Sequence, residues 1–430
     1  MSELTILLDG RIGSYCLEPL LGEFVKRGQS VCIVTYPDVK EQLLLRFPEL
    51  SESFVDLRCL ERRLPLQRKL HALLRLLITP SDFSNKYATV LEKQVKSPRL
   101  GLRLMARIAF GFPKVKSASV NRLLHNILKL ITPNVLPCSR VLVVTMFGAP
   151  HLLCARGLEV FTLVESWDHA FKWPMGFCSK AVFCWNKSLS EDWKAFQGDS
   201  RREVFYPLKL RYLLEKPRSV QAKKSSLLLY PMSTSSVSLL GNAFEEELKI
   251  ATVVCKAAEA AKWRVILKPK PNGRPGELDS LEKRFEHVSV ADYGDASKPS
   301  DYYFDDLYNS QRIGDLEKAD LVVNLYTTFG LDAALALRPV LQLDLTDAES
   351  LPATQVLFRN DHLQRYFLGH QDCLIQACSL SQLEGELVGW LRAPDERAEK
   401  YRDYLRSWLL PEETIENRLK FACDTLTAPS

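Results

Sequence analysis

Residues 301–345, DYYFDDLYNSQRIGDLEKADLVVNLYTTFGLDAALALRPVLQLDL, carry the strand, turn, helix, strand order of a parallel α/β sheet. An apolar run, Leu321-Val322-Val323, ends in Asn324-Leu325-Tyr326 and two adjacent hydroxyls, Thr327 and Thr328. A helix of small residues is expected over 330–337 and a second apolar strand over 340–345. The start of such a helix presents backbone N–H groups and a partial positive charge, which suits an anion such as a nucleotide phosphate. A plain threonine N-cap with no ligand has the same pattern. Asp332, one turn into the helix, can accept paired hydrogen bonds from ribose hydroxyls, or can simply face the helix dipole. The aromatic and acidic run 301–308, with Tyr303 at its centre, can stack a base or pack internally.

Upstream, strand and helix alternate: strand 225–230, helix 244–261, and strands 263–267 and 288–291. Strand 263–267 runs into Lys268-Pro269-Lys270-Pro271-Asn272-Gly273. Prolines fix the turn, and Lys268 and Lys270 place cations where a donor phosphate could be neutralised; a basic surface turn is the alternative.

The first half of the chain has the same grammar. Strand 4–8 ends in Asp9-Gly10-Arg11-Ile12-Gly13, helix 15–26 follows, and strands are expected at 30–35, 53–57, 140–145, 160–165, 181–185 and 203–206. Parallel winding puts ligands beyond the strand carboxyl ends, where Asp9, Gly10, Arg11, Gly13 and residues 145–148 would lie. Strand 160–164 ends in Glu165-Ser166-Trp167-Asp168-His169-Ala170-Phe171-Lys172. Two carboxylates and a histidine there are candidates for nucleophile, base or acid. Asp168 leads, because Trp167 and Phe171 would supply an apolar setting. Glu165 and His169 would assist, and Lys172 would join Asp9 to Gly13 on the substrate side. A loop carboxylate capping a helix is the plainer reading.

A chain of 430 residues exceeds one comfortable core, so two domains are expected. Apolar content of 46% and charged content of 25% exclude wholesale disorder and a polytopic membrane protein. Nothing at the N-terminus reads as a signal peptide and no stretch is long enough to span a bilayer. The eleven cysteines are scattered without a C-x-x-C pair and the seven histidines are dispersed, which reads as reduced thiols in a cytoplasm and no metal site.

Net charge is +5, yet residues 59–132 hold fifteen Lys or Arg against three acids. Within them 62–77, 99–110 and 120–131 alternate aliphatic and basic residues at helical spacing. This basic insert suits an anionic membrane surface or a solvated helical cover; nucleic acid is not expected, because stacking aromatics are few. Residues 207–224 turn polar and basic, as a linker would.

These features predict an α/β protein of GT-B-like plan: two Rossmann-like β/α domains facing across a cleft, with a helical basic insert in the first. The expected boundaries are 1–206 for an acceptor-side domain with insert 59–132, 207–224 for a linker, 225–400 for a nucleotide-sugar domain, and 401–430 for a helix returning to the first domain.

The order Glu165-Ser166-Trp167-Asp168, then 181–185 with Ser188, then 301–308, then Thr327-Thr328 with Asp332-Ala333-Ala334, resembles bacterial GT-B glycosyltransferases of surface-polysaccharide synthesis. It is similar to the capsule and lipopolysaccharide transferases, β-Kdo transferases among them, and to CDP-glycerol glycerophosphotransferases. The resemblance covers roughly residues 140–370. Relatives usually carry His-Pro where Lys268-Pro269 stands, and often two serines where Thr327-Thr328 stand, so cation and hydroxyls are kept. The resemblance implies a metal-independent transferase at the inner face of the cytoplasmic membrane. Its co-substrate would be a nucleotide-sugar, Kdo or another acidic sugar on CMP, with no other cofactor. The acceptor would be lipid-linked or a surface polysaccharide, and Asp168 would be the nucleophile of a double displacement. A polyol-phosphate transferase and a non-catalytic assembly protein of the same fold remain the alternatives.

Overall fold

The computed structural model describes residues 4–8, 11–78, 118–144, 150–165, 177–214, 225–232, 243–269, 276–291, 306–355 and 364–428. The chain forms two compact units.

The first unit is built on a seven-stranded sheet, all of whose pairs are parallel: β1 (Leu4–Leu8), β2 (Val31–Thr35), β3 (Phe54–Asp56), β4 (Arg140–Val144), β5 (Glu159–Leu163), β6 (Ala181–Cys184) and β7 (Arg201–Val204), in the order β3-β2-β1-β4-β5-β6-β7. β1 and β2 are buried along their whole length, as expected of continuous apolar strands covered on both faces. Helix α1 (Arg11–Lys26) buries Leu17, Leu20, Leu21 and Phe24 against them. It begins four residues earlier than the sequence suggests, so Arg11 and Gly13 belong to its first turn and not to an open loop. The chain winds outward from β1 to β3 and re-enters at β4 beside β1. That reversal makes a switch point between β1 and β4.

Also in this unit are α2 (Pro37–Arg46), α3 (Leu57–Glu61), α4 (Pro65–Ile78), α5 (Ala118–Ile131) and α6 (Lys187–Gln197). Leu57, expected to end a strand, instead starts α3, because the Asp56 carboxylate accepts from Arg58 N and caps it. Within the basic insert, 62–77 and 120–131 are realised as α4 and α5; 99–110 falls outside the described residues.

The chain leaves the first unit at Lys209. Residues 207–224 are not a linker throughout: a 3₁₀ turn at Leu208–Leu210 leads into α7 (Arg211–Leu214), whose Arg211, Tyr212 and Leu213 are buried.

The second unit has a six-stranded parallel sheet of β8 (Leu227–Pro231), β9 (Arg264–Lys268), β10 (Val288–Val290), β11 (Leu321–Asn324), β12 (Val340–Asp344) and β13 (Leu374–Gln376), in the order β10-β9-β8-β11-β12-β13. Its switch point lies between β8 and β11. α8 (Ala243–Ala261), α9 (Gly276–Arg284), α10 (Asp306–Lys318), α11 (Phe329–Leu335), α12 (Gln364–Phe367), α13 (Leu380–Arg392) and α14 (Arg397–Leu409) complete it. α8 and α13 pack on each other over the sheet, and Glu246 of α8 accepts Ala353 N at 3.1 Å and Thr354 N at 2.8 Å.

The last helix, α15 (Ile415–Thr427), belongs to the first unit and lies on α1. Arg27 pairs with Asp424 at 2.6 Å, and Arg140 donates to Leu426 O at 3.1 Å. The tail therefore divides between the units at Leu409, not at residue 401. The eleven cysteines form no disulfide with one another.

Candidate functional site

The carboxyl edge of the second sheet gathers the charged groups. β11 ends in Asn324, which is fully buried. The Thr327 hydroxyl donates to Asn324 Oδ1 at 2.8 Å and accepts from Phe329 N at 3.1 Å, so Thr327 closes the start of α11. Asn324 Nδ2 donates to Gln342 Oε1 at 2.7 Å, and Gln342 Nε2 donates to Leu343 O at 2.9 Å, which ties the turn to β12. Gly330 is required there: a Cβ would lie 2.9 Å from Asn324 Nδ2.

The expected open phosphate seat is not what this turn forms. Phe329 N bonds Thr327 Oγ1, Gly330 N bonds Thr327 O at 3.3 Å, and Leu331 N and Asp332 N bond Thr328 O at 3.0 and 3.4 Å. The first-turn amides are thus satisfied internally, and Thr327 is buried. Only Thr328 of the pair is exposed, with no capping bond from its side chain.

Asp332 is also corrected. Every residue of α11 is buried, so no face of this short helix offers a carboxylate to a ribose. Asp332 is ion-paired to Arg312 of α10 and accepts from the Tyr212 hydroxyl at 3.1 Å, which engages both its oxygens.

Lys268, at the end of β9, is buried as well and donates to Asp315 Oδ2 at 2.9 Å. Burial pushes its ammonium down to about 7; Asp315 opposes that shift and Arg312 adds to it. Both cations lie over the Phe329 ring, Lys268 Nζ 5.3 Å and the Arg312 guanidinium 5.1 Å from its centroid. Arg312 also covers the Tyr212 ring at 5.6 Å. Two cations, two carboxylates and two rings form one buried network next to exposed Thr328.

Arg312, Asp315, Tyr212 and Phe329 escaped the sequence reading. The available signal was Arg312 and Asp315 at i, i+3 on the helix that precedes β11. Lys270 and Tyr303 lie outside the described residues.

In the first unit, β4, β5 and β6 end level, Val144 opposite Leu163 and Leu163 opposite Phe183. Glu165 follows β5 and is buried at this carboxyl edge. Trp185 Nε1 donates to Val164 O at 2.9 Å beside it, and Asn186 caps α6 through Leu189 N at 2.9 Å. Asp168, His169, Lys172, Asp9 and Gly10 lie outside the described residues.

A groove of about 610 Å³ is lined by Ser225, Leu227, Arg264, His287, Val288 and Lys318, at the amino ends of β8, β9 and β10. Parallel α/β sheets bind ligands at the opposite edge, so it is not the candidate site. Among the described residues, no group of three or more His, Cys, Asp or Glu could hold a metal ion.

No protein-family model and no curated protein sequence matches the chain. Solved structures do. A protein assigned as UDP-N-acetylglucosamine 2-epimerase from Listeria monocytogenes superposes with a TM-score of 0.50 at 12% identity, covering 99% of this chain and 96% of that one. The fold is GT-B-like. The UDP-GlcNAc 2-epimerase of Neisseria meningitidis, bound to UDP-GlcNAc, matches with a TM-score of 0.48 at 11% identity over 99% of this chain and 100% of its own. MurG of Acinetobacter baumannii matches with 0.44 at 11% over 99% and 100%. At 12% identity the first of these likenesses speaks for the fold alone.

Proposed function

We propose that the protein is a nucleotide-sugar-dependent glycosyltransferase that holds its donor at the carboxyl edge of the second unit and takes its acceptor chemistry from that of the first. The observation that supports this reading is the pair of buried cations, Lys268 and Arg312, against the ring that follows exposed Thr328. A phosphate hydrogen-bonded to the Thr328 hydroxyl would sit beside these ion pairs and compete with Asp315 for Lys268. Its arrival would favour the charged form of Lys268, so the site would take up a proton as negative charge enters. The same charge would stabilise a departing nucleotide phosphate without a metal ion. Lys270 and Tyr303 would contribute a further cation and a stacking ring.

On the acceptor side Glu165, a buried carboxylate at a strand end, would assist Asp168 and His169, with Asp168 as nucleophile or base. Asp9, Gly10, Arg11, Gly13 and Lys172 would bind the acceptor. The resemblance in residues 140–370 extends the reading to an acidic sugar such as Kdo on CMP and a lipid-linked or surface-polysaccharide acceptor.

A second reading, a GT-B-fold binding or assembly protein without chemistry, is favoured by the inward first-turn amides and by an Asp332 fully engaged with Arg312 and Tyr212. The deciding experiment presents CMP-, UDP-, GDP- and CDP-linked donors to the purified chain and follows thermal shift and nucleotide release. The transferase reading expects one donor class to bind and turn over, and Thr328→Val to weaken its binding at unchanged stability. Binding without nucleotide release would select the second reading, and phosphorus retained in the product would select a polyol-phosphate transferase. Equal affinity in Thr328→Val would overturn the assigned donor seat.

A further inference from the structure

Six large apolar side chains stand most exposed among the described residues, and five of them lie on two helices of the first unit: Leu66 on α4, and Leu123, Ile127, Leu130 and Ile131 on α5. On α5 the spacing is i, i+4, i+7, i+8, which places all four on one face. The adjoining face holds Leu124 and Leu128, 7% and 1% exposed, against the body of the unit. A helix with so wide an apolar arc is ordinarily buried along all of it. Here the outer side faces solvent, with Leu130 at 69% and Leu66 at 67% exposure. Gln67 Nε2 donates to Ile131 O at 3.0 Å, so the two helices present one continuous patch.

The charge around the patch has one sign. α4 carries Arg68 and Lys69, α5 carries Arg122 and Lys129, and neither helix contains a carboxylate. Arg62 and Arg63 precede α4 in the turn. Arg122 reaches Asp199 at 2.7 Å, with both side chains largely exposed, a pairing that water and salt weaken readily. Protruding aliphatic groups ringed by cations match the boundary between lipid headgroups and acyl chains. A protein partner of comparable affinity is ordinarily anchored by aromatic residues, and none of the exposed apolar groups on the patch is aromatic. Among the described residues no helix is long and apolar enough to cross a membrane, so contact would be from the surface.

We infer that the α4 and α5 face of the first unit docks on the headgroup layer of an anionic bilayer. Leu66, Leu123, Ile127, Leu130 and Ile131 enter the acyl boundary, and the arginines and lysines meet lipid phosphates. The inference stands on the patch alone and survives if the protein transfers no sugar.

The test is sedimentation of the full chain with vesicles of mixed phosphatidylcholine and phosphatidylglycerol, against vesicles of phosphatidylcholine alone. Binding at least about tenfold tighter to the anionic vesicles is expected, weakening as salt rises. The Leu123→Asp, Leu130→Asp double variant should lose about tenfold or more of that binding, with its thermal unfolding unchanged because both side chains are exposed. Leu123→Gln with Leu130→Gln serves where aspartate disturbs folding. A chain that stays in the supernatant with anionic vesicles, or a double variant that binds like the parent, overturns the inference. So does a solution dimer that the double variant converts to monomer, since the patch would then join two copies of the chain.

Discussion

Acid should unfold the first unit through two buried histidines. His125 of α5 and His151 of the 3₁₀ turn Pro150–Cys154 are 9% and 2% exposed, and burial pushes each imidazole down to about 4. Lys129 adds to the shift at His125 and Arg68 to that at His151. In the unfolded chain both return to an ordinary value near 6.5. Below that pH the unfolded state binds protons that the folded state refuses, so stability falls as pH drops from about 6.5 to about 4. Each histidine contributes a slope of up to about 1.4 kcal/mol per pH unit, and about 2.5 kcal/mol by pH 4.5. Against a total of roughly 5–15 kcal/mol, two such losses are large. The assay is urea unfolding at steps between pH 4.5 and 7, in the parent and in His151→Gln and His125→Gln. Amide hydrogen exchange of α5 would assign the loss to this unit. Carboxylates also titrate in this range, so the decisive quantity is the difference in slope, about one proton fewer for each variant. Identical slopes in parent and variants would refute the reasoning.

Three further outcomes follow from the second unit. Arg312→Met strands the fully buried Asp332 carboxylate and should cost about 3–5 kcal/mol by urea unfolding, whereas Arg312→Met with Asp332→Leu should recover much of it; equal losses in both would count against a structural ion pair. Gly330→Ala drives a methyl to within 2.9 Å of Asn324 Nδ2 and should cost about 1–3 kcal/mol, a loss that thermal unfolding would report; a neutral effect would mean the turn yields freely. Lys268, held down to about 7, makes the folded state resist its proton, so its contribution to stability should rise with pH between about 7 and 10.5. Lys268→Met should flatten that rise, and an unchanged profile would show the ammonium to be ordinary.

Much of the architecture was legible because strands buried on both faces must be written as apolar runs, and their helices as amphipathic ones. The runs at 4–8, 140–144, 227–231 and 321–324 are all strands of parallel sheets. Two helical stretches of the basic insert, 62–77 and 120–131, were legible in the same way, but their exposed aliphatic face was not. Periodicity says that α5 has apolar residues on more than one side, and only packing says which side the unit covers. At the carboxyl edge of the second sheet the sequence named the polar residues but not what each of them bonds. Thr327, Thr328 and Asp332 are near neighbours in sequence, yet one closes the turn, one faces water and one is locked to Arg312.

What the sequence by itself determined is the alternation of strand and helix and the two-sheet plan, since these follow from local periodicity and the winding rule of parallel sheets. Tertiary structure alone decided which polar groups at the carboxyl edge of the second sheet remain open. Hydrogen-bond capacity is used up by partners distant in sequence, as when Tyr212 and Arg312 close on Asp332. No spacing rule along a single strand or helix registers that kind of competition.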